Sequence, residues 1–277
     1  MIPAAFDYRR AASVDEAVGL LTEHGEDAKL LAGGHSLLPL MKLRLAAPSV
    51  LIDIGRLSDL SYVRANGDTV AIGALTRHRD LETSSVLHEH VPLLAHVAGQ
   101  VGDPQVRHRG TIGGSLAHGD PASDLPAACL ALGATFIVVG PQGEGEIEAA
   151  DFFQGFLETA LGPDEVLTEI GVPKTDGAGW SFQKFNRRAQ DWAIVGVAAV
   201  AGVAGSRPGI GLVNMGSVPL RATAVEAALV AGASAAEAAA HAADGLDPPE
   251  DLNASPEYRR HLVQVLVRRA LEEAGAA

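Results

Sequence analysis

The chain has 277 residues, of which 47% are hydrophobic and 20% charged, and its formal net charge is -13. A chain of this length can form two or three compact units, each with its own core. The negative charge excludes a nucleic-acid-binding or anionic-membrane surface, because both need clustered Lys and Arg.

No apolar run reaches the length of a membrane span, and residues 1–8 lack a basic region followed by an apolar core. We therefore expect a cytoplasmic protein without a membrane span. The one cysteine, Cys129, lies in an apolar run and is expected to be a buried, inert thiol. An all-cysteine iron–sulfur cluster needs four thiolates, so electrons from such a cluster would have to come from another chain.

The first fifty-odd residues alternate helical and strand patterns. Ser13 and Glu16 form a capping-box pattern that predicts a helix over residues 14–24. Buried strands are predicted over residues 28–32 and 50–54, because short apolar runs lie there between turn signals. This alternation predicts a small parallel α/β unit.

The pattern changes from residue 58 onwards. Strands over residues 60–64 and 69–72 flank an Asn-Gly turn and predict a hairpin. Thr76 is predicted to cap a helix that runs to about Leu87. The other predicted elements are a helix over 91–101, a strand over 134–139, an exposed turn over 140–145, a helix over 152–159 and a strand over 165–172.

Proline and glycine cluster over residues 173–179, which predicts a linker. Beyond it we predict strands over 181–186, 193–203 and 209–214, then helices over 221–231, 235–243 and 256–274. The predicted fold is α+β, with two α/β subdomains (residues 1–57 and 58–173) followed by a smaller C-terminal domain (residues 178–277) of a three-stranded antiparallel sheet plus helices.

Two glycine motifs are the strongest functional signal. In residues 30–37, Leu-Leu-Ala-Gly-Gly-His-Ser-Leu, an apolar strand stops at two adjacent glycines, which permit positive φ and close approach to backbone N–H groups. Residues 110–116, Gly-Thr-Ile-Gly-Gly-Ser-Leu, repeat the arrangement. Either motif alone is more often a plain tight turn. Together they predict two turns that grip one long anionic ligand, such as a pyrophosphate.

Three later residues also have candidate roles. Asp124 can accept a hydrogen bond from a ribose hydroxyl or a flavin nitrogen, although helix capping explains it equally well. Lys184 lies between aromatic residues in a predicted strand, where an isolated cation needs an acceptor, or extends its ammonium group to solvent. Trp192 is predicted to pack in the core, or else to cover a ligand ring.

These motifs resemble a known family. Residues 32–36 (Ala-Gly-Gly-His-Ser), 102–107 (Gly-Asp-Pro-Gln-Val-Arg), 111–115 (Thr-Ile-Gly-Gly-Ser) and 120–124 (Asp-Pro-Ala-Ser-Asp) are similar to the flavin-binding medium subunits of molybdenum hydroxylases. That family includes xanthine dehydrogenase and aerobic carbon monoxide dehydrogenase. The resemblance covers nearly the whole chain.

The resemblance implies the FAD-binding fold of p-cresol methylhydroxylase (PCMH) and vanillyl-alcohol oxidase (VAO), with non-covalent FAD between the first two units. It implies that the pyrophosphate lies against both glycine motifs, that Asp124 contacts the cofactor and that Leu167 and Lys184 lie near its rings. The implied cofactor-binding residues are Leu30, Leu31, Ala32, Gly33, Gly34, His35, Ser36, Leu37, Thr111, Ile112, Gly113, Gly114, Ser115, Asp124, Leu167 and Lys184. No catalytic dyad and no metal site are expected on this chain.

The resemblance also implies partners: a large molybdopterin-binding subunit and a small subunit with 2Fe-2S clusters, as a dimer of heterotrimers. Electrons would pass from the clusters to FAD and on to a quinone, O2 or NAD.

Two alternatives to this function stay open. One is a serine hydrolase with Ser36 as nucleophile, although position 38 is Leu where the elbow Gly-x-Ser-x-Gly needs Gly. The other is a flavin-free scaffold subunit that retains the fold.

Overall fold

The computed structural model describes residues 2–202 and 207–275. Residues 1, 203–206, 276 and 277 lie outside the described residues. They include the end of the predicted strand over 193–203 and the last two residues of the predicted C-terminal domain.

The first sheet has three parallel strands. Its unit contains β1 (Asp7–Arg10), α1 (Val14–His24), β2 (Ala28–Leu31), α2 (Leu37–Leu43) and β3 (Val50–Asp53). The order is β1-β3-β2. Helix α1 has the predicted bounds, because the Ser13 hydroxyl accepts a hydrogen bond from the Glu16 amide at 3.1 Å and Gly25 ends the helix. The sequence pattern does not reveal β1, whose four residues are all exposed.

The second sheet is antiparallel. The strands of this part of the chain are β4 (Val63–Asn66), β5 (Thr69–Gly73), β6 (Thr135–Gly140), β7 (Gly143–Glu148), β8 (Phe153–Gly155), β9 (Glu158–Thr159) and β10 (Val166–Pro173). Five of them form the order β4-β5-β10-β6-β7, and β8 and β9 form a separate hairpin. The predicted Asn-Gly hairpin between β4 and β5 is confirmed.

Short helices cover this sheet. They are α3 (His78–Glu82), α4 (Ser85–His90), α5 (Pro92–Gly99), α6 (Pro104–Arg107), α7 (Ile112–His118), α8 (Asp124–Leu132) and α9 (Ala149–Phe152). The single helix predicted from Thr76 to Leu87 is wrong. Thr76 is buried, and its hydroxyl bonds the backbone of Tyr62 on the neighbouring chain segment instead of capping a helix.

Two further predictions in this unit are wrong. The segment 152–159 is not a helix, because α9 ends at Phe152 and the chain continues into the β8–β9 hairpin. Phe152 packs edge to face on Phe136 with ring centroids 4.6 Å apart, so tertiary contacts override the local helical pattern. The turn predicted over 140–145 is shorter, since β7 begins at Gly143 and pairs with β6.

The third part of the chain is an antiparallel sheet with helices. Its elements are β11 (Trp180–Phe185), β12 (Val195–Val200), β13 (Gly209–Val213), β14 (Leu220–Arg221), α10 (Thr223–Val230), α11 (Ala235–Ala239) and α12 (Pro256–Ala274). The three predicted strands are present, and the two-residue β14 extends the sheet to four.

Helix α8 of the second part of the chain packs against the sheet of the third part. A Cβ on Gly209 or Gly211 of β13 would lie 1.8 or 1.9 Å from a backbone oxygen of α8, so only glycine permits this approach. All nine residues of α8 are buried. The fold is thus α+β, as predicted, and the boundaries 1–57, 58–173 and 178–277 stay a prediction.

A cavity where the two glycine motifs meet

The two glycine motifs lie against each other. A Cβ on Gly33 would lie 2.2 Å from the backbone oxygen of Arg109 and 3.0 Å from the Cα of Gly110. Arg77, next to this contact, pairs with Thr111 in an isolated β-bridge. Backbones more than seventy positions apart therefore touch at the place where glycine removes the side chain.

The first motif has free backbone donors. Gly34 has φ +76°, and the chain turns there between β2 and α2. In the described part of the chain, the N–H groups of residues 33–37 have no hydrogen-bond acceptor. Successive N–H groups without internal partners form a site for an anion such as a phosphate.

The second motif has a different structure from the one predicted. It is not a turn, because residues 112–118 form helix α7 with Thr111 as its N-cap. Its N–H groups are engaged: Ile112 donates to the Thr76 oxygen, Gly113 to the Ala74 oxygen at 2.8 Å and Gly114 to the Thr111 hydroxyl at 3.2 Å. The glycines serve packing, since a Cβ on Gly113 would lie 2.6 Å from that of Ala74.

A cavity of about 750 Å³ opens at this junction. This volume is in the range of small-molecule and cofactor sites. The predicted residues that line it are Leu30, Leu31, Ala32, Gly33, Gly34, His35, Ser36, Leu37, Thr111, Gly113, Gly114, Ser115, Asp124, Leu167 and Lys184. The structure does not bring Ile112 to the cavity wall, because its side chain is fully buried in the core.

A buried ion pair lies in the wall of the cavity. The Lys184 ammonium donates to Asp124 Oδ2 at 2.6 Å and to the Gln100 backbone oxygen at 3.0 Å. Burial raises the pKa of Asp124 to about 6, and the Lys184 charge opposes this shift. The other oxygen, Oδ1, is buried and has no hydrogen-bond partner among the described residues. The isolated cation expected at Lys184 is therefore balanced by the carboxylate that the sequence also singled out.

Sequence reasoning missed several residues of the wall. His78 is buried beside Gly110, and burial lowers the pKa of its imidazole to about 4, so the ring is neutral. The sequence gives no signal for His78, because it lies within the helix predicted from Thr76 to Leu87 and nothing in that pattern indicates that it lines a cavity. Trp192 lines the cavity with its side chain 60% exposed, so the prediction of core packing is wrong. The segments 157–159, 161–163 and 165–166 also contribute to the wall.

The serine-hydrolase alternative gains no support from the geometry. In the described residues, the Ser36 hydroxyl forms no hydrogen bond with a histidine or carboxylate, and the adjacent His35 ring nitrogen lies 3.3 Å from the Gly33 oxygen. A nucleophilic serine needs a base within hydrogen-bond reach.

The residues present fit a long nucleotide cofactor. Five free N–H groups can hold its phosphates, and the cavity extends from them past the Asp124–Lys184 pair to Trp192. The fold and this cavity define a cofactor-binding protein of the PCMH/VAO type.

Comparison with known proteins gives the family. Residues 4–175 match the family model described as FAD binding domain in molybdopterin dehydrogenase, and residues 180–274 match the CO dehydrogenase flavoprotein C-terminal domain. The chain is 44% identical to the carbon monoxide dehydrogenase medium chain of Hydrogenophaga pseudoflava, over 100% of this chain and 99% of that protein. It is 40% identical to the 6-hydroxypseudooxynicotine dehydrogenase complex subunit alpha of Paenarthrobacter nicotinovorans, over 99% and 96%.

A solved structure of carbon monoxide dehydrogenase from Hydrogenophaga pseudoflava superposes with a TM-score of 0.95 at 46% identity, covering 100% of this chain and 99% of that chain. The chain therefore belongs to the family of FAD-binding subunits of molybdopterin dehydrogenases. Its cofactor is FAD, and it is an oxidoreductase subunit. Within the described ranges, none of the helices combines the length and apolar character that a membrane crossing requires.

Proposed function

We propose that this chain is the electron-transfer subunit of a cytoplasmic molybdenum hydroxylase. It accepts electrons from 2Fe-2S clusters on a small partner, while a large partner holds molybdopterin and selects the substrate. The outside acceptor is a quinone, O2 or NAD, and the assembly is a dimer of heterotrimers. The observation that carries this proposal is the row of five free N–H groups at residues 33–37, which faces a cavity at the contact between the two glycine motifs.

The first motif binds the pyrophosphate. Its free N–H groups and the Ser36 hydroxyl donate to phosphate oxygens, and Gly34 holds the turn that points them into the cavity. The second motif positions the first, because α7 packs through Gly113 and leaves room for the Gly33 contact. The non-covalent site comprises residues 30–37, Thr111, residues 113–115, Asp124, Leu167 and Lys184.

Lys184 and Asp124 set the charge of the cavity wall. Bound FAD supplies the exchange of electrons between single-electron donors and a two-electron acceptor. The Lys184 ammonium, with its side chain only 10% exposed, is held in place by Asp124 and the Gln100 oxygen. A fixed cation favours added negative charge on a neighbouring group, while the Asp124 carboxylate limits that effect. This chain thus contributes binding, orientation and electrostatics.

The ligand inventory of the chain supports separate partners for the metals. A cluster held by four cysteines cannot form on a chain with one cysteine, and Cys129 is fully buried. In the described residues no group of three or more His, Cys, Asp or Glu side chains is placed to hold a metal ion. Relatives with this fold include medium chains and a complex subunit alpha, which indicates assembly with other chains.

Purification of the tagged chain from its native host tests the proposal. We expect a yellow complex with two companion chains, one with molybdenum and one with iron and acid-labile sulfide, and FAD that acid denaturation releases. The flavin absorbance should bleach when the large partner oxidises its substrate. A colourless chain that reacts with a fluorophosphonate would support the hydrolase instead. A colourless chain that assembles with the same partners would support the flavin-free scaffold.

A further inference from the structure

A second cavity of about 580 Å³ adjoins the first. The two cavities share Asp191 and Trp192, which belong to the loop between β11 and β12. This loop is therefore part of the wall between them. A molecule in the second cavity would be separated from one in the first by the thickness of that loop.

Two aromatic side chains line the second cavity from different elements. Phe156 lies at the tip of the β8–β9 hairpin with 68% of its side chain exposed, and Trp192 is 60% exposed. Neither ring is paired with another aromatic ring among the described residues. Free aromatic faces at the entrance of a cavity are suited to stacking on a flat ring.

The charges of the cavity favour a neutral ligand. Four carboxylates line it, and three of them are paired with arginines, at 2.9 Å for Asp191 with Arg188, 2.7 Å for Asp251 with Arg259 and 3.4 Å for Asp247 with Arg260. The fourth, Asp120, accepts a hydrogen bond from the Ala122 amide at 2.8 Å, and its charge offsets that of Arg187. Arg187, which also lines the cavity, forms no salt bridge or hydrogen bond within the described residues. One free guanidinium can donate to a carbonyl oxygen, but it cannot balance the two phosphates of a dinucleotide beside these carboxylates.

Hydrogen bonds from two other parts of the chain hold the loop that carries Trp192 in place. The side-chain amide of Asn214 donates to the Ala193 oxygen at 2.9 Å, and the fully buried Arg259 donates to the Ile194 oxygen. Arg259 also holds Asp251, so one buried guanidinium fixes two sides of the cavity. A cavity with an anchored wall is preformed, which lowers the ordering cost of binding.

We propose that this second cavity binds the electron acceptor, and that the acceptor is a neutral planar quinone stacked on Phe156 and Trp192 with a carbonyl oxygen on Arg187. The inference rests on the proposed function, which supplies the reductant. The exchange is balanced as FADH2 plus quinone giving FAD plus hydroquinone, with two electrons and two protons transferred. Among the acceptors named above, the geometry therefore favours a quinone over NAD.

Binding to the oxidised holoenzyme tests this without turnover. A short-chain benzoquinone is titrated calorimetrically, and NAD is titrated as the anionic comparison. We expect the quinone to bind and NAD not to compete for its site. Arg187→Gln should weaken quinone binding about tenfold, as expected for one lost hydrogen bond to a charged donor. Phe156→Ala should weaken it about fivefold through lost stacking. Arg9→Gln, an exposed arginine of β1 that lines neither cavity, is the matched control.

A photoreactive azidoquinone locates the site directly. Labelled peptides should contain Phe156 or Trp192, and label confined to other segments or to a partner chain overturns the proposal. Hydroxyl-radical footprinting of the holoenzyme gives a second test. If a partner chain protects both side chains from oxidation, the cavity is a subunit interface and the proposal is overturned. Unchanged quinone affinity in Arg187→Gln and Phe156→Ala, with flavin content intact, overturns this inference alone. Absence of FAD from the purified complex would overturn the proposed function as well.

Discussion

The two glycine motifs have nearly the same composition and opposite structural uses. Residues 33–37 keep their N–H groups free, whereas residues 112–115 bond theirs within the protein. The first needs glycine for the positive φ of Gly34 and the backbone contact of Gly33, and the second needs it where Gly113 packs on Ala74. A Gly-Gly pair in a sequence thus indicates that a side chain is not tolerated, without indicating whether a ligand or the protein itself occupies the space.

The largest effect should come from Gly33→Ala. The added methyl would lie 2.2 Å from the Arg109 oxygen, so the two motifs must move apart. Overpacking of this kind costs up to about 3 kcal/mol, which corresponds to a roughly 100-fold weaker Kd for FAD if the cost falls on the bound geometry. Flavin content after purification and FAD titration measure it. Gly19→Ala in α1, where a Cβ meets nothing within 4 Å, should keep its flavin.

Gly113→Ala should chiefly affect folding. The new methyl would meet the Ala74 Cβ at 2.6 Å and its oxygen at 2.7 Å, both in the packed interior. We expect the free energy of unfolding to fall by about 2 kcal/mol, with a smaller change in FAD affinity of the folded fraction. Urea denaturation and flavin titration separate the two quantities. If Gly113→Ala loses FAD at unchanged stability, the second motif contacts the cofactor in the way proposed for the first, and the contrast fails.

Acid titration sharpens the contrast between the two sides of the cavity. Burial lowers the pKa of His78 from 6.5 to about 4, so the unfolded chain takes up this proton first and stability is lost as the pH falls from about 6.5 to 4. Burial raises the pKa of Asp124 from 3.8 to about 6, so the folded chain takes up this proton first and stability is gained between about pH 6 and 4. The two effects oppose each other.

Asp124→Asn removes the gain and leaves the loss from His78. Its stability should therefore fall more steeply than that of the wild type between pH 6 and 4, by up to about 1.4 kcal/mol per pH unit. His78→Gln should have a shallower acid limb than the wild type. Urea denaturation at four pH values checks both, and parallel profiles for all three proteins would contradict the assignment of these groups.

The smallest effect should come from single hydroxyl groups. Ser36→Ala removes a donor next to the free N–H groups and should weaken FAD binding about fivefold. Ser115→Ala, at the matching place in the second motif, should change the affinity less, because the backbone around it is internally bonded. Equal effects in fluorescence titrations of the two variants would show that both motifs contact the phosphates in the same way.

Local rules predicted the parts of the fold that depend on neighbouring residues. Helix α1 has the predicted bounds because its cap and its stop are encoded within thirteen residues. The hairpin between β4 and β5 follows from its Asn-Gly turn. Strand β1 could not be predicted, because its exposed residues carry no apolar alternation and it exists only through its pairing with β3. The false helix over 152–159 failed because Phe152 is fixed by contacts with Phe136, which is distant in the chain.

The sequence by itself singled out the two glycine motifs, Asp124 and Lys184 as candidates, because glycine pairs and charges within apolar segments can be recognised from neighbouring residues alone. Only the tertiary structure decided which motif presents free donors, that Lys184 and Asp124 neutralise each other at 2.6 Å, and that Trp192 forms a wall between two cavities. Hydrogen-bond partners, the burial of a charge and the position of a wall are relations between distant residues, and these relations exist only after the chain has packed.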